Sequence, residues 1–120
     1  MLNQYRFKRR YRLLDQPAFS TVFEAKKKRF GGTFIIYSRL NHHEYPRIGI
    51  ILSKKQVRLA SERNRIRRLV RESFRLNINT LPCMDFVLVG LHAMQHLNGK
   101  EIVQCIEKQW DYYRHFRADA

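Results

Sequence analysis

Carboxylates are scarce in this chain. Ten Asp and Glu stand against twenty-four Lys and Arg in 120 residues, giving a formal net charge of +14. The five acids among residues 1 to 75 (Asp15, Glu24, Glu44, Glu62 and Glu72) form no pair suited to two-metal nuclease chemistry. Cysteine is nearly absent. Cys83 and Cys105 belong to no paired motif, which argues against a disulfide framework or a cysteine zinc site and fits a reducing compartment. His92 and His96 are four apart and His42 and His43 are adjacent, but no nearby carboxylate or cysteine completes a metal set. No metal ligands are expected in the protein. Ser53 lacks triad partners, so no catalytic residues are expected either. No apolar run reaches the length of a membrane span, and the N-terminus turns basic without an apolar stretch behind it. The expected location is cytoplasmic, with no membrane partner. Repeats, low-complexity tracts and linkers are missing as well, which leaves a single domain over residues 1–120. What is present is a 44% apolar content, enough for a core that needs no staples.

The positive charge is unevenly placed. Residues 1 to 75 hold twenty Lys and Arg against five acids, and residues 76 to 120 hold four against five. All the excess lies in the first two thirds. Such a footprint fits a polyanion, most commonly nucleic acid. An anionic membrane surface is the rival, weakened because the most basic helix carries no Trp anchor.

Along the chain, residues 1 to 14 form a basic opening with interleaved aromatics, and a short strand over Tyr11 to Leu14 is one option. Asp15 can cap a helix whose first turn holds Pro17. That helix is expected to run to about Lys28, with Gly31-Gly32 ending it. Thr33 to Leu40 and Arg47 to Ser53 read as strands, expected to pair as a hairpin. A helix follows from about Ala60 to Leu76. Leu81-Pro82 breaks the chain before a buried strand, Asp85 to Gly90, and a loop, Leu91 to Asn98. A final amphipathic helix covers about 100–116, with Ile102, Val103, Ile106 and Trp110 on one side. The class is α+β, with one mainly antiparallel sheet of about four strands.

The helix at 60–76 packs six arginines into the thirteen residues Arg63 to Arg75. With about 100° per residue and Arg63 at zero, Leu69, Ile66, Val70 and Phe74 fall on the arc from about 240° to about 20°. Arg67, Arg71, Asn64, Arg75 and Arg68 fall between about 40° and about 140° on the same wheel. One arc can dock on a core while the other presents guanidinium forks suited to phosphate. A charge run is often only a solvated face. Here two things oppose that reading: only Glu62 and Glu72 are at hand to neutralise it, and the like charges Arg63, Arg67 and Arg71 repel at i,i+4.

Phe19 and Phe23 lie one helical turn apart, and Tyr37 sits on the first clear strand. Spacing alone favours core packing for all three, although strand aromatics can also stack unpaired bases. Lys54 and Lys55 follow a strand directly and could either end it or reach a phosphate. Lys26-Lys27-Lys28-Arg29 is accounted for by the dipole of a helix C-terminus. On these residues alone the protein is a binder rather than a catalyst.

Together the motifs resemble the protein subunit of bacterial ribonuclease P. They are Arg12-Leu13-Leu14 with Phe19, Val22 and Phe23; Arg47-Ile48-Gly49-Ile50-Ile51-Leu52-Ser53-Lys54-Lys55; Glu62 through Arg75 around Arg63-Asn64-Arg65; and Asp85-Phe86-Val87-Leu88-Val89. The resemblance covers roughly residues 6 to 115. It implies an endoribonuclease in which a catalytic RNA, using magnesium, removes the 5′ leader of precursor tRNA. The protein would bind both RNAs, one protein per catalytic RNA. It implies that Arg63, Asn64, Arg65, Arg67, Arg68 and Arg71 face the catalytic RNA. It likewise implies that Phe19, Phe23 and Tyr37, with Lys54 and Lys55, form a cleft for the leader. A left-handed crossover between parallel strands comes with the family fold. Arg67 departs from the family pattern, where lysine is frequent, and Gly90-Leu91-His92 lacks the basic residue many relatives carry after the fourth strand. Other RNA-binding roles, such as a ribosomal or chaperone-type protein, and a protein-only nuclease are the alternatives.

Overall fold

The computed structural model describes residues 9–116. Its elements are α1 (Gln16–Glu24), β1 (Lys28–Phe30), β2 (Phe34–Leu40), β3 (Arg47–Ile51), α2 (Ala60–Asn77), β4 (Met84–Gly90) and α3 (Gly99–Arg114). The expected α+β class and single sheet are found, and the C-terminal helix lies where its apolar periodicity put it. Short 3-10 turns occupy Arg9–Tyr11 and His92–His96, the latter within the stretch expected to be loop. Arg6, Phe7 and Lys8 of the basic opening, and Arg117 to Ala120, lie outside the described residues.

The sheet is wired differently from the expected hairpin. Strand order is β1-β2-β4-β3: β2 pairs antiparallel with β1 and β4, and β3 pairs parallel with β4. β4 therefore inserts between β2 and β3. The reason lies in its side chains. From Met84 to Leu88 every residue is buried, and a strand apolar on both faces gains most at the centre of a sheet. The parallel pairing in turn requires a long crossover, and α2 supplies it.

Two further expectations are corrected. The first helix stops at Glu24, not near Lys28, because Lys26 takes the left-handed conformation (φ 57°) that closes a helix off. The chain then reverses, and Lys28, Arg29 and Phe30 pair with Tyr37, Ile36 and Ile35. Gly31-Gly32 thus makes the β1–β2 turn, where Gly32 sits at φ 88°. The strand considered for Tyr11 to Leu14 reduces to one parallel bridge, Arg12 to Ile48. The cap at the other end of α1 is as expected: Asp15 accepts from the Ala18 amide at 3.0 Å, with Pro17 in the first turn.

Strand alternation divides the core between the two faces of the sheet. Phe34, Ile36, Ile48, Met84, Phe86 and Leu88 point to the back, where α2 and α3 cover them with Ile66, Val70, Phe74, Ile102, Ile106 and Trp110. Leu13, Val22 and Val87 form a smaller cluster on the front, under α1. The two helices cover the back face except at its β1 margin, whereas the front face is only partly roofed.

Asp85 is the buried charge of the sheet. It accepts from Arg47 Nε (2.8 Å) and Nη2 (2.6 Å) and from Asn41 Nδ2 (2.8 Å). This fork fastens the start of β3 to the start of β4. Asp85→Ala strands both donors and is expected to destabilise the fold by about 3 kcal/mol, the low end for a broken buried pair, because the Arg47 side chain keeps 24% of its surface in water. Urea unfolding followed by circular dichroism measures it; a midpoint within error of wild type would refute the assignment.

Candidate nucleic-acid interface

The amphipathic helix is built as the wheel anticipates. Ile66, Val70 and Phe74 are fully buried and Leu69 packs half-buried beside them. Its opposite side does not present six equivalent arginines. Asn64, Arg67, Arg68 and Arg71 line one cavity of about 380 Å³ together with Arg12 and Glu72. Arg71 is held below the usual guanidinium pKa by burial and by the neighbouring charges of Arg12 and Arg67. Burial is the larger cause; the smaller one, like charge from Arg12 and Arg67, is the electrostatic condition for receiving an anion.

Arg63 and Arg65 are placed otherwise. Arg63 Nη1 donates to the carbonyl oxygens of Val57 (2.7 Å) and Arg58 (2.8 Å), pinning the segment that leads into α2. Arg65 donates to Glu62 at 2.9 Å and to the carbonyl oxygen of Leu97 at 3.1 Å, which ties α2 to the turn before α3. Arg75 pairs with Glu72. These three stiffen the scaffold, while Arg67, Arg68 and Arg71 face the cavity.

On the front face the aromatics gather under α1. Phe23 meets Tyr37 edge-on at 4.7 Å, and both pack against Leu13, Val22 and Val87 while remaining half-exposed. Phe19 lies against Gly49 of β3. A Cβ built on Gly49 would sit 2.4 Å from the Phe19 ring, so glycine there is what lets the ring lie down on the strand. Ile35, Ile51 and Val89 share this face and are partly exposed. The result is an apolar, aromatic cleft with an open side, neither a sealed core nor a polar surface.

The two regions meet. A smaller cavity of about 190 Å³ is lined by Phe19, Leu13, Ile48 and Gly49, and also by Arg12 and Arg71. Arg12 and Arg71 thus belong to both the arginine cavity and the foot of the aromatic cleft. Lys54 and Lys55 are exposed on the turn after β3 and line neither of these cavities. Their turn is fixed: Ser53 accepts from the amides of Gln56 and Val57, and Gln56 in turn accepts from the His92 amide.

Sequence reasoning did not assign Arg12 or Gly49 to the site. Gly49 carried a readable signal, since glycine inside a strand marks a close approach. Arg12 carried none beyond its charge; the bridge to Ile48 is what sets it beside α2. Among the described residues, no three His, Cys, Asp or Glu side chains gather as a metal site.

The chain is similar to known proteins of one family. Residues 7–114 match the family described as Ribonuclease P. The chain is 42% identical over 109 residues to the ribonuclease P protein component of Baumannia cicadellinicola subsp. Homalodisca coagulata, covering 90% of this chain and 95% of that one. It is 43% identical over 104 residues to the corresponding protein of Escherichia coli O157:H7, covering 87% of each. The solved structure of the Staphylococcus aureus RNase P protein superposes with a TM-score of 0.81 at 22% identity, over 89% of this chain and 98% of that one, a likeness of fold.

Proposed function

The chain belongs to the ribonuclease P protein family, and on that premise we propose that it binds the catalytic RNA through α2 and the single-stranded leader of precursor tRNA through the α1 cleft. The supporting observation is that the arginine cavity and the aromatic cleft share Arg12 and Arg71. Two RNA backbones brought to adjoining sites repel each other. A convergent cluster of guanidinium groups at the seam lowers that repulsion and holds both strands in register.

Asn64, Arg67, Arg68 and Arg71 form the surface for the catalytic RNA, with Arg63 and Arg65 holding the helix in place behind them. Phe19, Phe23 and Tyr37 receive unpaired leader nucleotides, whose bases gain stacking and apolar contact on half-exposed rings. Lys54 and Lys55 add point charges at the end of β3. Hydrolysis is assigned to the RNA, which would bring magnesium with it; no side chain here is given a chemical step. One protein per RNA and a cytoplasmic setting complete the proposal. No helix among the described residues is long and apolar enough to cross a membrane.

The test is cleavage of precursor tRNA at low magnesium, with and without a ribonuclease P RNA. Stimulation by the protein only when the RNA is present supports the proposal. Cleavage by the protein alone would sink it in favour of a protein nuclease, and RNA binding with no effect on cleavage would point to a general RNA-binding protein. Within that assay, Phe19→Ala is expected to raise KM for leader-bearing substrate roughly tenfold, the worth of about one stacked base. Leaderless tRNA binding should stay unchanged. Equal losses for both would remove Phe19 from leader recognition.

A further inference from the structure

Lys26-Lys27-Lys28-Arg29 is left without an account once α1 is seen to end at Glu24. A helix dipole acts within the last turn, and Lys28 and Arg29 belong to β1, an edge strand of the sheet. Alternation along β1 sends the two side chains to opposite faces. Lys28 is registered with Tyr37, and its ammonium lies 6.0 Å from the centre of that ring, at the margin of the front cleft. Arg29 turns to the back. Its guanidinium stacks 3.6 Å from the centre of the Tyr112 ring, and its Nε donates to Gln109 at 3.1 Å. Gln109 is itself buried, so the guanidinium is held from two directions.

Around it opens a cavity of about 560 Å³ lined by Lys26, Lys27, Arg29, Tyr112 and His115 among others. Among the described residues, none of Lys26, Lys27, Lys28 and Arg29 is paired with a carboxylate. Asp111, the nearest acid in sequence to Tyr112, pairs with Arg114. An edge strand can carry lysines simply to discourage pairing with another strand. That role explains neither a guanidinium locked by stacking and a buried amide nor a cavity formed around it. A preorganised guanidinium with free forks is a phosphate receptor.

We infer that the β1 edge is a second station for single-stranded RNA, where leader nucleotides lying beyond the cleft pass Lys28 and set a backbone phosphate on Arg29, Lys26 and Lys27 beside Tyr112. The inference rests on the assignment of the α1 cleft to the leader. Its basis is continuity: Tyr37 and Lys28 link the cleft to the edge, so a strand leaving the cleft on the side away from Arg12 and Arg71 meets these cations next. The site lies across the sheet from the arginine cavity, since β1 and β3 are its two edges.

The experiment measures the affinity of the holoenzyme, assembled with a ribonuclease P RNA, for precursor tRNAs with a leader of a few nucleotides or one several times longer. The variant Lys26→Ala/Lys27→Ala/Arg29→Ala is expected to lose about tenfold on the long leader, the worth of one charge-assisted contact, and nothing on the short one. Lys26→Ala/Lys27→Ala alone alters only exposed side chains and guards against a folding artefact; it should show a smaller loss, again confined to the long leader. Equal losses at both lengths, or none at either, would overturn the inference. Phe19→Ala run in parallel reports on the cleft separately: it should weaken both lengths, and if it weakens neither, the cleft assignment fails rather than the edge alone.

Discussion

Replacing Arg67, Arg68 and Arg71 together with alanine is expected to weaken binding to ribonuclease P RNA on the order of 100-fold, at about 1 kcal/mol or slightly less per contact. The slope of log affinity against log salt should fall by about 2, from roughly 0.7 to 0.9 per phosphate contact. These three side chains converge on one cavity beside Arg12, where Arg71 is partly buried and feels the charges of Arg12 and Arg67. Removing them also relieves repulsion between like charges within the helix, so the loss of binding should exceed any loss of stability. Arg65→Ala is the informative contrast. Its guanidinium is committed to Glu62 and to the Leu97 carbonyl, so it should cost stability more than salt slope. Titration across a salt series, with unfolding curves for each protein, separates the two. A triple variant that folds normally and keeps the wild-type slope would remove α2 from the RNA interface.

The second large effect is structural. Trp110→Ala is expected to destabilise the protein by about 4 kcal/mol, in the range for a buried large aromatic, and to lower Tm by more than about 10 °C. Trp110 is fully buried, contacts Phe74 and Phe86 edge-on, and donates its indole N–H to Ser73 at 3.0 Å. Ser73 passes the bond on to Glu107 at 2.5 Å. Phe74 and Ser73 belong to α2, so this one residue of α3 seats the arginine helix on the sheet. Trp110→Phe, which keeps most of the volume but not the donor, should cost about 1–2 kcal/mol. Thermal melts check both; a Trp110→Ala melt within a few degrees of wild type would show that the core refills without it.

The arginine helix could be read because two signals coincide on it. Ile66, Val70 and Phe74 mark the docking arc, and the shortage of nearby acids marks the other. What the wheel could not show is that Arg63 and Arg65 are drawn back onto carbonyl oxygens, since those partners come from segments before α2 and before α3. β1 was hidden for a different reason. Lys28, Arg29 and Phe30 have no apolar alternation, and the strand exists because its backbone completes β2, not because its side chains seek burial. The β2–β3 hairpin was the default for neighbouring strands. The apolar run Phe86 to Val89 of β4 carries the contrary evidence, since only a central strand hides both faces. For Phe19, Phe23 and Tyr37, spacing pointed to core packing. They do pack, but on the half-roofed face, and sequence periodicity does not distinguish a covered face from an open one.

The central position of β4 also sets the order in which the molecule can assemble. β2 and β3 are synthesised early yet touch each other only through a strand that begins at Met84. Until that strand arrives, β3 has only the bridge from Arg12, and α2 has no complete sheet to lie on. Nearly all the positive charge of the chain therefore leaves the ribosome before the sheet that organises it can close. Long-range pairing of this kind slows folding relative to a fold built of local contacts. During that interval it is an unorganised polycation that any polyanion can attract.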